Sequence, residues 1–407
     1  MWTIHNQGSP KRVNHAAVAV NGIIYSFGGY DQNEHYGKND TIDIHALDIE
    51  NRRYEHFDNK QGYYVMCEDA NLLNDRSQIY STSSFLNSTQ QYPVPFNRYG
   101  HTVVEYKDKI YLWGGRNDVM LSSDVLHEYD PANNEWKVIR VSGRCPPARD
   151  GHTAVVWDDK MVVFGGFEEL HQLFSQDVFI FDFKTCVWSE LQITNGSKPT
   201  HRDFHTSVIL GDEMFVWGGR SDAMGLFHSG KDLYFNNVHI LNLRTAEWTV
   251  VYSGRNGPSG RRSHSAFSYN NIMYIFGGFN SEYNIHYNDI HAYDPVLMTW
   301  KEISPIGVCP SVRRRQCTIM VGDKVYLFGG TTSTSYEEPK KALCNLSDLH
   351  VLDFGPSLKT IAIKRLIEST QIQNFFPFIS KDLMAQIQIM IPSIGVQQTQ
   401  SRIGIKG

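Results

Sequence analysis

The sequence has few cysteines, little net charge and no long apolar run. Its six cysteines are scattered along 407 residues without a Cys-x-x-Cys pair, which favours reduced thiols over a disulfide framework or a zinc site. The net charge of −5 lacks the basic surplus of a protein held on nucleic acid by phosphate contacts. No apolar run reaches the roughly 18 residues of a membrane helix, and the first residues lack a secretory signal. We expect a protein of the cytoplasm and nucleus, with neither nucleic acid nor membrane as partner.

Motifs for catalysis are also missing. The glycine pairs follow β-rich runs and lack the lysine of a phosphate-binding loop. The repeat histidines are dispersed one per blade, and no carboxylate–histidine cluster has the spacing of metal ligands. The sequence therefore predicts a protein that is not an enzyme and that needs no cofactor or metal. A propeller enzyme stays open as an alternative that a metal assay would test.

What the sequence does have is a repeat. Each of six glycine pairs follows a short β-rich run, and the first glycines are 86, 51, 53, 59 and 52 residues apart. A period near 50 with a strand before each pair is typical of kelch repeats, in which each repeat forms one four-stranded blade of a β-propeller. The pairs are Gly28-Gly29, Gly114-Gly115, Gly165-Gly166, Gly218-Gly219, Gly277-Gly278 and Gly329-Gly330.

Other residues recur at fixed offsets from these pairs. A histidine lies thirteen residues before the first glycine in five repeats, and Gln316 takes this place in the sixth. An arginine lies three residues earlier in all six repeats. Because these residues recur in blade after blade, we expect them to tie the blades together rather than to bind a ligand. The tryptophans that recur later in each repeat are expected to pack in the core.

The order of the strands predicts how the ring closes. The sixth repeat lacks a tryptophan strand, and Trp2-Thr3-Ile4 resembles the strand that is missing. We predict an all-β fold, a six-bladed kelch β-propeller over residues 1–355 that is closed by the N-terminal strand, with no open sheet edge. A polar stretch near 61–92 is expected to form a surface loop. A short C-terminal helical segment (356–391) and a flexible tail (392–407) follow.

Two sets of residues are expected at the face where the loops gather around the channel. One set consists of the residue directly after each glycine pair, and the other consists of the residue directly after each repeat arginine. Arginines fall on late blades and aspartates on middle blades, which suits a ligand with separated negative and positive groups, such as a peptide C-terminus after a basic residue. The alternative is an ordinary solvated charged rim. The predicted pocket residues are Arg220, Arg262, Arg314, Asp150, Asp203, Tyr30, Tyr99, Phe167 and Phe279.

Longer strings carry a resemblance to a known family. The chain contains RVNHAAVAV, YSFGGY, LWGGRND, ARDGH, RDFH, RRSHSAF, RRRQC and SDLHVLDFGPSLKT. Across nearly its whole length it resembles the kelch-repeat substrate receptors of cullin-2 RING ubiquitin ligases. The resemblance implies a non-catalytic receptor that binds C-terminal degrons ending in glycine, after Arg, Lys or Gln, and directs the substrate to proteasomal degradation.

The resemblance also implies roles for particular residues. Arg220 and Arg262, with Arg314 beside them, would hold the terminal carboxylate of the degron, and Asp150 and Asp203 would read its basic residue. The implied partners are elongin C with elongin B, cullin-2, and substrate proteins with a C-terminal glycine. The elongin box would contain Ser357, Leu358 and Leu366, and the cullin box Phe376, Pro377 and Leu383. The sequence departs from these boxes at Ala362, where a cysteine is usual, and at Ser380.

The sequence ends in Lys406-Gly407, which has the form of the implied ligand. We therefore expect this end to be able to dock into its own pocket or a neighbour's, which would give autoinhibition or self-association. A kelch scaffold outside any ubiquitin ligase is the alternative reading of the whole chain. Association with elongin B and C would separate the two readings.

Overall fold

Tight hairpins between β-branched and aromatic runs build the blades. In the first hairpin Asn21 and Gly22 both have positive φ, 50° and 79°, which is the type I′ geometry that an Asn-Gly pair prefers. The structure is a computed structural model that describes residues 1–5, 9–31, 40–49, 53–57, 62–65, 94–252, 257–334, 342–368 and 379–380. Within these, residues 53–57, 62–65, 364 and 366–368 are described by their backbone alone.

The described strands form the six blades of a propeller, as predicted, and blades 1 and 2 begin the ring. Blade 1 contains β2 (Ala16–Val20), β3 (Ile23–Phe27), β4 (Ile44–Asp48) and β5 (Arg53–Phe57). Blade 2 contains β7 (Tyr99–Tyr106), β8 (Lys109–Asn117), β10 (His127–Asp130) and β11 (Glu135–Ile139), and β9 (Leu121–Ser122) pairs with β8. The polar stretch expected to be a loop supplies a further strand, β6 (Gly62–Val65), which pairs in parallel with β11. The loop prediction is wrong for these four residues because the outer edge of blade 2 offers them unpaired backbone groups.

Blades 3 and 4 carry short extra strands near the face where the loops gather. Blade 3 contains β13 (Thr153–Trp157), β14 (Lys160–Phe164), β17 (Val178–Asp182) and β18 (Val187–Glu190), and β12 (Ser142–Gly143) pairs in parallel with β18. Its loop forms a ribbon of β15 (Phe167–Glu168) and β16 (Leu173–Phe174). Blade 4 contains β19 (Asp203–Leu210), β20 (Glu213–Asp222), β22 (Val238–Asn242) and β23 (Glu247–Val251), and β21 (Asp232–Tyr234) pairs with β20.

The N-terminal strand closes the ring in blade 6, as predicted. Blade 5 contains β24 (Ser265–Tyr269), β25 (Ile272–Phe276), β28 (Ile290–Asp294) and β29 (Thr299–Ile303), with a ribbon of β26 (Phe279–Asn280) and β27 (Ile285–His286). Blade 6 contains β30 (Cys317–Val321), β31 (Lys324–Phe328), β34 (Leu349–Asp353) and β1 (Trp2–His5), with a ribbon of β32 (Thr331–Ser333) and β33 (Leu343–Asn345). Trp2 lies opposite Leu352 in the antiparallel pairing of β1 with β34. A helix, α1 (Leu358–Glu368), follows β34. No helix among the described residues is long and apolar enough to span a bilayer.

Aromatic pairs fill the spaces between blades. In five of the six repeats the aromatic residue before the glycine pair packs against the tryptophan of the next blade's outer strand, with ring centroids 5.5 to 5.8 Å apart. These tryptophans are 0 to 6% exposed, so they form the core, as predicted. The pairs are Phe27–Trp136, Trp113–Trp188, Phe164–Trp248, Trp217–Trp300 and Phe276–Trp2.

Hydrogen bonds also connect neighbouring blades, through the side chains of the repeat histidines and through the backbone of the repeat arginines. Histidine Nε2 atoms lie 2.7 to 3.0 Å from threonine hydroxyls of the preceding blade, as in the pair of His264 and Thr206. Five of the six repeat arginines are almost fully buried, and the guanidinium of Arg149 donates to the Gly165 carbonyl of its own blade. The arginine side chains therefore brace single blades, which corrects the expectation that they join blades. Their backbone carbonyls do reach across, each accepting from the second glycine of the preceding blade.

The second glycine of each pair is required at this crossing. Gly115 has φ 78°, and a Cβ added there would lie 2.5 Å from the Cβ of His101. A side chain there would clash with the first strand of the same blade, so glycine allows these two strands to approach closely near the channel.

Candidate functional site

The two sets of face residues pair with each other across the first hairpin of every blade. The residue after the repeat arginine forms a backbone bridge or ladder pair with the residue after the glycine pair. Both sets therefore meet at one end of the ring, as their sequence positions predict. The pairs are Val13–Tyr30, Tyr99–Arg116, Asp150–Phe167, Asp203–Arg220, Arg262–Phe279 and Arg314–Thr331.

One position further along, six residues form a closed ring around the channel mouth. Each has positive φ, from 49° to 69°, and each donates its backbone N–H to the carbonyl of the equivalent residue in the preceding blade at 2.8 to 3.2 Å. Both backbone polar groups of each ring residue are therefore engaged by its neighbours. We call these residues the channel ring: Asn14, Gly100, Gly151, Phe204, Ser263 and Arg315.

A cavity of about 690 Å³ lies above the channel ring. Tyr30, Tyr99 and Phe167 line it, together with acidic and basic side chains from several blades. Below it, a smaller space of about 130 Å³ is lined by the channel ring and the repeat histidines. Phe279, the fourth predicted pocket aromatic, is fully buried and does not line the larger cavity. The charged residues that line the larger cavity are Asp31, Arg116, Asp118, Asp150, Asp203, Arg220, His228 and Arg315.

Arg220 lines the cavity and is already held by carboxylates. Its Nε and Nη2 each donate to Asp203 at 2.9 Å, and its Nη1 lies 3.7 Å from Asp232 Oδ1. Burial alone would lower the pKa of Arg220, but the two carboxylates outweigh burial and raise it. Asp203 is only 1% exposed. These two predicted site residues therefore form a bidentate ion pair in the cavity wall.

Arg262 and Arg314 lie behind this wall. Arg262 donates to Asp232 Oδ2 at 2.5 Å. Arg314 is 5% exposed, and its guanidinium lies 4.3 Å from the ring centroid of Phe279. Burial lowers the pKa of Arg314 to about 9. Neither arginine is among the described residues that line the cavity. Their role in holding a carboxylate stays a prediction.

Asp150 lines the cavity and is 6% exposed. Among the described residues, no side chain forms a hydrogen bond or ion pair with its carboxylate. Burial and the neighbouring carboxylate of Asp203 raise the pKa of Asp150 to about 7. Gly100 lies against it, since a Cβ there would be 3.2 Å from Asp150 Oδ2. The cavity thus holds a buried acidic group that is available to a donor from a ligand.

Sequence reasoning did not assign three of the charged residues that shape the cavity. Glu169 lies 2.8 Å from Arg116 across the boundary of blades 2 and 3. Asp232 joins Arg220 and Arg262 from the blade 4 loop. The 59-residue interval after the fourth glycine pair signals an inserted segment there, but it does not say which residue reaches the site. Arg315 is the third.

Arg315 occupies a position that its repeat offset could have revealed. It lies two residues after the repeat arginine, where the other blades have Asn, Gly, Gly, Phe and Ser. It has φ 63° and lines both the cavity and the channel. Its Nη1 donates to the hydroxyl of Tyr30. Burial lowers the pKa of Arg315, and the Tyr30 hydroxyl opposes that effect.

The predicted elongin box falls on α1. The Ser357 hydroxyl accepts a hydrogen bond from the Thr360 N–H at 3.1 Å, which makes Ser357 the N-cap of the helix. Leu358 is 85% exposed, whereas Ile363 is 4% exposed. The side chain of Leu366 lies outside the described residues. One face of the helix therefore packs, while its first turn presents an apolar side chain to solvent.

Other predicted residues fall outside the described part of the chain. These are Phe376, Pro377 and Leu383 of the cullin box and the terminal Lys406-Gly407. Ser380 is described and exposed. Among the described residues, no group of three or more His, Cys, Asp or Glu side chains could hold a metal ion.

Comparison with known proteins identifies the family. Residues 100–330 match the family model described as the KLHDC2/KLHL20/DRC7 kelch-repeats domain, and residues 11–55 match the kelch motif. The chain is 41% identical to kelch domain-containing protein 3 of Homo sapiens and of Bos taurus, over 92% of this chain and 93% of each relative. It is 28% identical to host cell factor 1 of Homo sapiens, over 61% of this chain and 13% of that relative. The chain belongs to the kelch-repeat propeller family that includes kelch domain-containing protein 3, whose members are generally non-catalytic protein-interaction modules.

Proposed function

We propose that this chain is the substrate-recognition subunit of a cullin-2 RING ubiquitin ligase. In this role the propeller cavity binds the C-terminal end of a partner protein that finishes in glycine. Elongin C, with elongin B, binds α1, and cullin-2 joins through the segment that follows. The complex then directs the bound protein to ubiquitination and degradation in the cytoplasm and nucleus.

The charge distribution in the cavity is the observation that carries the proposal. Arg220 and Arg315 bring guanidinium groups to the wall, and Asp150 brings a buried carboxylate without a side-chain partner among the described residues. A ligand with one negative and one positive group at close separation satisfies both signs. A free peptide C-terminus behind a lysine or arginine has this form, and arginine recognises a carboxylate with two parallel hydrogen bonds.

The surface of α1 supports the second half of the proposal. Leu358 exposes 85% of its side chain at the start of a capped helix. A leucine this exposed contributes nothing to the packing of the propeller and is available to a partner groove. Ala362 is also exposed, so the residue that departs from the usual elongin box lies on a surface that a partner can reach.

Co-purification of the full chain with elongin B and C tests this function. The wild-type protein is expected to retain both elongins through size-exclusion chromatography. Leu358→Asp places a charge in the interface and is expected to weaken binding on the order of thirtyfold, the loss typical of a buried hot-spot residue. Because Leu358 is exposed in the free protein, the melting temperature should not change.

Val296→Asp is the matched control, since Val296 is 83% exposed and lies in the blade 5 turn rather than on α1. It should leave elongin binding unchanged. Absence of elongins from the wild-type preparation, or equal retention by Leu358→Asp, would contradict the ligase role and favour a kelch scaffold.

A further inference from the structure

Six large apolar side chains are exposed on the loops of blades 2, 3 and 4, beside the cavity. Each of them is 42 to 85% exposed. Single apolar side chains scattered over a surface are ordinary, whereas a group of them on adjoining loops is typical of a surface that binds another molecule. We call these residues the apolar rim: Val119, Leu121, Leu170, Met224, Leu226 and Phe227.

Contacts between the three loops join the apolar rim into one surface. The backbone N–H of Phe174 in blade 3 donates to the Leu226 carbonyl of blade 4 at 2.9 Å. The residue before Phe174 forms an antiparallel bridge with Phe227. Between blades 2 and 3, the Ser122 hydroxyl donates to the Glu169 carboxylate at 3.1 Å. These contacts involve rim residues or their neighbours in the chain, so the rim follows one arc along the three loops.

A buried carboxylate holds the blade 4 part of the apolar rim. Asp222 is 3% exposed, and its side chain accepts hydrogen bonds from the backbone N–H groups of Met224, Ser229 and Gly230 at 2.6 to 3.1 Å. Its backbone carbonyl accepts from the N–H of Gly225 at 3.0 Å. A loop that is fixed in this way loses little conformational freedom when its side chains bind a partner. The exposed side chains of this loop are therefore carried on a preorganised backbone.

The apolar rim is continuous with the cavity. Val119 belongs to both, since it lines the cavity and is 54% exposed. At the blade 4 end of the arc, His228 lines the cavity and directly follows Phe227 in the chain. The His228 ring stacks on Phe174, with ring centroids 5.8 Å apart. An extended chain advances about 3.3 Å per residue, so a polypeptide that leaves the cavity on this side lies over the rim with its next few residues.

We propose that the apolar rim is a second binding surface for the polypeptide whose C-terminus occupies the cavity, and that it binds large apolar side chains a few residues before that terminus. This inference rests on the proposed function, because it requires a C-terminal ligand in the cavity. It adds a selection that the charged cavity does not make, since the cavity recognises the end of the chain and the rim recognises the residues before it. Substrates are then expected to share an apolar segment as well as a terminal glycine.

Three ten-residue peptides that end in Lys-Gly with a free acid test the inference by fluorescence polarisation on the full chain. The first carries Phe and Leu at the fourth and sixth residues from its end, because alternate residues of an extended chain point to the same side. The second carries Ser at both places. The third has the composition of the first, with Phe and Leu moved to its N-terminal end. The wild-type protein should bind the first peptide about tenfold more tightly than either of the others, the order expected for partial burial of two large apolar side chains.

Phe227→Ser and Met224→Ser should each reduce this preference to about threefold or less. The affinity for the second peptide, which reports on the cavity alone, should change far less. The two side chains are 61% and 66% exposed, so the melting temperature should not change. Leu297→Ser is the matched control, because Leu297 is 69% exposed and lies in the turn between β28 and β29 of blade 5. It should keep the full preference.

The outcomes separate this inference from the proposed function. If the wild-type protein binds none of the three peptides, the proposed function is wrong and the inference falls with it. If the wild type binds the first and second peptides equally, or if both rim variants keep the full preference, the function stands and the role of the apolar rim is overturned. Equal affinity for the first and third peptides also overturns it, because the gain would then not depend on where the apolar residues lie.

Light scattering on the protein without peptide tests whether a second copy of the chain covers the apolar rim instead. Wild type and Phe227→Ser should have the same mass. A wild-type dimer that Phe227→Ser converts to a monomer would assign the rim to self-association and overturn the inference.

Discussion

Acidification should destabilise the propeller through its buried histidines, and His264 allows the effect of one to be measured. His264 is 5% exposed, and its Nε2 lies 2.7 Å from the hydroxyl of Thr206 in the preceding blade. Burial, reinforced by Arg261, lowers the pKa of His264 from 6.5 to about 3. The folded protein therefore keeps this ring neutral, while the unfolded chain takes up a proton below pH 6.5. The stabilisation is complete above pH 6.5 and declines as the pH falls towards 3.

The magnitude follows from the same linkage. At pH 5.5, one unit below the unfolded pKa, a single buried histidine of this kind lowers the free energy of unfolding by about 1.4 kcal/mol. His15 and His152 have their pKa lowered to about 3 by the same burial, so with His264 the loss reaches about 4 kcal/mol. Asp150 acts in the opposite direction, because its raised pKa of about 7 favours the folded state as the pH falls. A comparison of two proteins that share Asp150 removes that contribution.

His264→Gln is the matched variant, because blade 6 has Gln316 at the equivalent position and its Nε2 donates to the Phe276 carbonyl. Urea unfolding of wild type and variant at pH 7.5 and 5.5 gives four free energies. The loss between the two pH values should be smaller in the variant by about 1.4 kcal/mol. An identical loss in the two proteins would refute the reasoning, since it would mean that His264 is protonated as easily in the folded state as in the unfolded chain.

Two further predictions concern closure of the ring and the close approach of the first two strands within a blade. Trp2→Ala should lower the free energy of unfolding by about 3–5 kcal/mol, because Trp2 is 2% exposed and packs on Phe276. Thr3→Ala in the same strand should lower the free energy of unfolding, measured in urea, far less. An equal loss for the two variants would contradict packing of the Trp2 indole in the core. Gly115→Ala should lower the free energy of unfolding by several kcal/mol more than Gly22→Ala, although the two glycines have nearly equal φ values of 78° and 79°. The reason is that a Cβ at Gly115 would lie 2.5 Å from the Cβ of His101, whereas a Cβ at Gly22 would have no atom within 4 Å. Thermal unfolding of the two variants measures the difference, and similar melting temperatures would show that the two strands move apart without cost.

The repeat made the fold predictable, because each signal is local and recurs in five or all six repeats. A glycine pair with an aromatic residue before it marks the second strand, and a histidine thirteen residues earlier marks the first. Packing of Phe27 on Trp136 then follows from the propeller geometry. The strand β6 could not be predicted in this way, since it belongs to an insertion with no counterpart in the other repeats.

Only part of the candidate site could be predicted from the sequence. The hairpin register alone sets Asp203 opposite Arg220, so their ion pair was within reach of the sequence. The contact of Arg116 with Glu169 could not be predicted, because it joins β8 to a loop of the next blade that no repeat rule positions. Charged residues of both signs on one face predicted a polar cavity correctly. Which of these residues lack an ion-pair partner depends on contacts between blades, such as that of Arg116 with Glu169.

The absence of an acidic partner does not by itself mark an arginine as functional. Arg98 and Arg202 are buried without a carboxylate partner among the described residues, and burial lowers the pKa of each to about 9. Their guanidinium groups nevertheless donate to backbone carbonyls on two sides, at 2.8 to 3.1 Å, within single blades. These donors satisfy carbonyls of the fold, and a ligand cannot reach them. Arg315 differs in both respects, because it lines an open cavity and donates to a single tyrosine hydroxyl. An arginine that can bind a ligand is therefore one that a ligand can reach and that has N–H donors not used by the protein. The lack of an acidic partner alone does not distinguish it from an arginine that holds a blade together.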